Sequence, residues 1–78
     1  MPDEIYFLCF LHNIGATSLD RALAFEEIVK WTAMEPEKVR SNMHKLVEDN
    51  YVQLVSIEGA ERYLVTAEGI RRVLSIHS

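Results

Sequence analysis

A chain of 78 residues, 49% of them apolar, has room for one domain and too many core-forming side chains to be disordered. No apolar run approaches the roughly 18 residues of a membrane-spanning helix, the opening Met-Pro-Asp-Glu lacks the basic region of a secretory signal, and a single cysteine rules out an internal disulfide framework. The expectation is a cytoplasmic protein, and its formal net charge of −4 means that any attraction to phosphate must come from a local basic patch.

In chain order, Asp3 and Glu4 suit the positive end of a helix predicted over residues 3–13. Ile5-Tyr-Phe-Leu-Cys-Phe-Leu11 is apolar around the whole helical wheel, so this helix needs partners on at least two sides. His12-Asn13-Ile14-Gly15 supplies its stop. Residues 16–24 read as a connection with a helical turn or short strand near Arg21-Ala-Leu-Ala24.

Phe25, Ile28, Val29 and Thr32 then recur at i, i+3, i+4, i+7, which predicts a helix over 25–33 with Glu26 and Glu27 in its first turn. Trp31 falls off that stripe and is expected at the rim, covering the next turn. A short turn leads to Pro36, a favoured first helical residue, and a third helix over 36–49. Two helices joined this closely form a helix-turn-helix. Val39, Met43, Leu46 and Val47 share the inner side of the third helix, and Lys38, Ser41, His44 and Lys45 the outer side, with Arg40 and Asn42 on the flanks. Asn50 is suited to the left-handed conformation that ends a helix.

After Asn50 the period changes to that of strands, over 51–57 and 61–66, with Glu58-Gly59-Ala60-Glu61 as the hairpin turn. Thr66 caps a last helix over 67–76. The order is helix, helix, helix, strand, strand, helix, an α+β architecture in which the hairpin packs on the helices because two strands alone are unstable.

Two stretches carry a family resemblance. Phe25-Glu-Glu-Ile-Val, Thr32-Ala-Met-Glu-Pro-Glu-Lys-Val-Arg40 and Leu46-Val-Glu-Asp-Asn-Tyr-Val52 look like the helix-turn-helix of the winged-helix transcription regulators of prokaryotes and archaea. Tyr63-Leu-Val-Thr-Ala-Glu-Gly69 is similar to the segment that leaves the wing and opens the last helix in that family. The fold implied is a winged helix-turn-helix: three helices, a two-stranded β-hairpin wing and a C-terminal helix. Two departures stand out. Asn50 replaces the family's usual glycine, and the wing tip carries Glu58 and Glu61 where many members carry basic residues, leaving Arg62 to meet a phosphate.

The function implied is sequence-specific binding of double-stranded DNA by a transcriptional regulator. Its contacts would come from Lys38, Arg40, Ser41, Asn42, His44 and Lys45 on the third helix and Arg62 on the wing. The solvated polar face that every surface helix presents is the plainer account of the same residues, and Glu37, Glu48 and Asp49 bracket the basic ones. Arg71 and Arg72 fit a salt-bridged helix face better than a phosphate contact. In the resembling family the terminal helices commonly form a two-fold dimer, and an all-round apolar first helix leaves one side for such a partner. The predicted homodimer surface is Ile5, Phe7, Leu8, Leu11, Ile70, Val73 and Leu74. The alternative function is a winged-helix module that docks a protein and does not touch DNA, which the net acidity favours.

Cys9, His12 and His77 could be gathered as a metal or redox site if the end helices pair, but a buried cysteine and two ordinary histidines explain them more simply. No nucleophile–base pair shares a pocket and no glycine-rich phosphate loop is present, so neither catalysis, nor a cofactor, nor a metal is expected.

Overall fold

The computed structural model describes residues 3–77, except for the side chain of His77. Helix α1 spans Asp3–Asn13, a 3₁₀ turn Leu19–Arg21, α2 Phe25–Thr32, α3 Pro36–Glu48, β1 Val52–Ile57, β2 Ala60–Val65 and α4 Ala67–His77. The connection before α2 holds both features expected of it. After the 3₁₀ turn, Leu23 pairs with Tyr63 as a single antiparallel bridge, through N–H···O bonds of 2.9 and 2.8 Å. This adds one rung of a third strand to the hairpin.

The helix ends follow from local backbone chemistry. At the end of α1, Gly15 takes φ 85°, and the N–H groups of Gly15 and Ala16 turn back onto His12 and Leu11. The end of α3 repeats this closure, with Asn50 at φ 63° donating to Val47 and Tyr51 to Leu46. Asparagine thus does the work of the glycine usual at that position, because its short polar side chain tolerates the left-handed region. Between α2 and α3 the left-handed residue is Ala33, at φ 56°.

Antiparallel β1 and β2 run in register from Val52↔Val65 to Ile57↔Ala60. The turn between them is Glu58-Gly59, with φ of 52° and 81°, the two-residue geometry that matches strand twist.

The core is built around α1, which packs against α3, α4 and β2. Contacts on three sides explain its unstriped apolar sequence, and they correct one expectation. Ile5, Phe7, Leu8, Leu11 and Val73, expected at a subunit surface, are core residues of the single chain, with Phe7, Leu8 and Leu11 wholly buried. Helices packed within the chain cover the side that was to face water. Only Leu74, exposed, and Ile70, half-buried, remain outside from that set, and Tyr6 is the large apolar residue of α1 left exposed.

The last helix is bolted to the α3–β1 junction. The Thr66 hydroxyl donates to the Asn50 carbonyl at 2.6 Å and accepts from Gly69 N–H at 3.0 Å, capping α4 as its sequence position implies. Thr66 N–H donates in turn to the Tyr51 carbonyl at 3.0 Å.

Candidate nucleic-acid interface

Helix α3 buries Val39, Met43 and Leu46 and leaves Lys38, Arg40, Ser41, His44 and Lys45 exposed along its outer side. Its position is set at both ends: Pro36 opens it after a three-residue turn from α2, and the Asn50 closure ends it. The structure therefore assembles five of the seven predicted contacts on one accessible surface.

Two of the seven are engaged elsewhere. Asn42 is only 6% exposed, and its Nδ2 donates to the Lys38 carbonyl one turn back at 2.8 Å, so its amide is turned away from any base edge. Its spacing gives the reason: Asn42 lies i+3 from Val39 and i−4 from Leu46, within the buried stripe. Arg62 is half-buried and donates through Nη1 to the Ala22 carbonyl and to Glu27 Oε1, both at 3.2 Å. It braces β2 against the start of α2 rather than reaching out from the wing.

The exposed basic side chains differ in how far they are already paired. Lys38 Nζ lies 3.5 Å from Asp3 of α1, and His44 Nε2 lies 3.5 Å from Glu48 on its own helix. Such exposed pairs are worth at most about 1 kcal/mol, so they compete with an incoming phosphate without blocking it. Lys45 has neither a hydrogen bond nor an ion pair among the described residues. Arg40 makes neither, but its guanidinium carbon sits 4.5 Å from the centroid of the Phe25 ring. On α4, Arg71 pairs with Glu68, as expected of that face, whereas Arg72 has no ion pair among the described residues.

Arg40 borders a cleft of about 380 Å³ between the start of α2, the flank of α3 and β2. Phe25 and Glu26 line it from α2, and Glu61 and Tyr63 from the wing. Burial raises the pKa of the Tyr63 hydroxyl above the usual tyrosine value and the Glu61 carboxylate raises it further, while Arg40 pulls the other way. The hydroxyl therefore stays protonated, a neutral donor, at physiological pH. Sequence reasoning assigned Phe25 to the core and Tyr63 to a strand. Neither could be linked to Arg40, because the three meet only through the Leu23–Tyr63 bridge and the packing of α2 on α3.

Elsewhere, Trp31 is 62% exposed rather than tucked over the next turn. Cys9 is buried, and His12 Nδ1 is buried without a hydrogen-bond partner among the described residues. The side chain of His77, third of that expected set, lies outside the described residues. No described helix is long and apolar enough to cross a membrane.

Among the described residues, four α-helices with a two-stranded antiparallel wing, the second and third helices joined by a tight turn, make this a winged helix-turn-helix fold. Solved structures share the fold over nearly the whole chain, two of them as follows. The solution structure of the DNA-binding TubR fragment from Clostridium botulinum superposes with a TM-score of 0.79 at 21% identity, covering 95% of this chain and 93% of that one. TubR from Bacillus megaterium pBM400 gives a TM-score of 0.83 at 19% identity, covering 100% of this chain and 89% of that one. No protein-family model matches the sequence, and no curated protein does.

Proposed function

We propose that the protein is a sequence-specific binder of double-stranded DNA and acts as a dimeric transcriptional regulator, with α3 entering the major groove. The observation that carries this reading is the outer side of α3, where Lys45 and Arg40 stand exposed with no ion pair among the described residues. The fold neighbour described as a DNA-binding fragment supports it. Lys38, Ser41 and His44 complete the surface, once their acidic neighbours Asp3 and Glu48 give way to phosphate. Base reading would fall to side chains near the middle of that face, and positioning to those at its edges.

The test is titration of duplex DNA at low salt, starting from a random-sequence pool. Binding is expected to weaken steeply as salt rises, because each neutralised phosphate releases counterions. Lys45→Glu, at an exposed position that should not disturb folding, is expected to weaken binding at least about tenfold and to flatten the salt slope by about one. A chain that shifts no duplex at low salt would instead be the alternative, a protein-docking winged helix. The acid partners of Lys38, His44 and Arg62 and the glutamates at the wing tip favour that second reading.

A further inference from the structure

We infer that the cleft between α2, α3 and β2 seats one backbone phosphate of the bound duplex, with Arg40 as its donor and Phe25 as the residue that positions Arg40. This rests on the DNA-binding reading above and assigns a specific contact within it.

Three observations converge. The first is the state of the guanidinium. A cation–π contact occupies one of its faces at 4.5 Å and consumes none of its five N–H donors, which take no protein partner among the described residues. An arginine held by its face with its edge open is set for fork-like recognition of a phosphodiester. By contrast, Lys38, His44 and Arg62 each have a carboxylate within 4 Å.

The second is location. Arg40 sits on the wing-side flank of α3 and borders a cleft of about 380 Å³, whose other walls are the start of α2 and the wing. A strand of the duplex running past α3 would cross that cleft. Tyr63, the neutral hydroxyl on the opposite wall, offers a second donor.

The third is rigidity. Two ties join the α2 wall, which carries Phe25, to β2: the Leu23–Tyr63 bridge, and Glu27, which accepts from both Ala24 N–H at 2.9 Å and Arg62 Nη1 at 3.2 Å. The platform under Arg40 is thus in place before any ligand arrives, so little ordering cost remains. Glu26 and Glu61 also line the cleft. Their charge opposes a free phosphate dianion more than a singly charged phosphodiester already held by neighbouring contacts. The cleft is therefore a site for DNA backbone and not for inorganic phosphate.

The experiment uses the full chain and the tightest duplex from the random pool, together with copies of it carrying one neutral methylphosphonate at each backbone position in turn. Arg40→Gln is expected to lower affinity about tenfold on unmodified duplexes whatever their base sequence, and to reduce the salt slope by about one. For wild type, one neutral linkage per half-site should be costly, and for Arg40→Gln that same linkage should cost nothing further. Phe25→Leu should behave as Arg40→Gln does, and Phe25→Tyr, which keeps the ring, as wild type; circular dichroism checks that each variant is folded. The clamp is overturned if Arg40→Gln binds with wild-type affinity and slope, or if it relaxes preference at one base pair while the linkage scan keeps its wild-type pattern. Inorganic phosphate competing with duplex far beyond chloride at equal ionic strength would overturn it too. Wild type that binds no duplex overturns the DNA-binding reading itself and the clamp with it, a result distinct from failure of Arg40 alone.

Discussion

A Cβ placed on Gly69 would lie 2.2 Å from the Tyr51 carbonyl oxygen and 2.7 Å from Val65 Cγ1. The position is helical, where alanine would ordinarily gain close to 1 kcal/mol over glycine. Here the clash with backbone outweighs that gain, because neither Tyr51 nor α4 can move without breaking the Thr66 bonds. Gly69→Ala is expected to destabilise the fold by about 2 kcal/mol or more, seen as a lower urea midpoint. At this scale the sequence was legible where backbone chemistry decides. Asn50 and Thr66 were readable because a left-handed stop and a helix cap each need a particular side chain. Asn42 and Arg62 were not, since both are polar residues whose partners depend on packing: one turned into its own helix, the other drawn 35 residues back to Glu27.

Among the elements, the wing carries a visible local cost. Glu58 sits at φ 52°, the first of two left-handed positions in the hairpin turn, where asparagine or glycine is the favoured residue. Glu58→Asn is expected to stabilise the protein by roughly 0.5–1 kcal/mol in chemical denaturation. It would also remove a negative charge from the wing tip, so duplex affinity should rise at low salt and less so at high salt. The elements themselves were readable from periodicity and punctuation: the shift from a helical repeat to strand formers after Asn50, and Gly15 and Gly59 at the turns. The bridge at Leu23 was only half legible. A one-rung strand has no period, and only its partner Tyr63 defines it.

For the molecule as a whole, the apolar first helix was the sequence signal most open to two readings. An unstriped helix needs cover on several sides, and the cover can come from the same chain or from another. Here α3, α4 and β2 supply it, and the large apolar side chains left exposed on the end helices, among the described residues, are Tyr6 and Leu74, each 56% exposed, with Phe10, Ile70 and Ile76 half-buried. A homodimer through the end helices would have to form there. It would present two α3 helices to successive major grooves about 34 Å apart. Light scattering at micromolar concentration is expected to give twice the chain mass for wild type and the single mass for Leu74→Glu, with unchanged circular dichroism because the site is exposed. A single mass for wild type would remove the dimer and leave the fold intact. The net charge of −4, a whole-molecule quantity, gave little guide to the candidate site, where pairing decides which cations remain available.

The hydroxyl of Thr66 closes the story of α3 and opens that of α4 with the same oxygen. No slack segment separates the two at that point, and Gly69 lets α4 seat hard against the Tyr51 carbonyl. One oxygen atom thus belongs to two helix ends at once, and replacing Thr66 with valine would leave the Asn50 carbonyl and the Gly69 N–H without their shared partner in a single step.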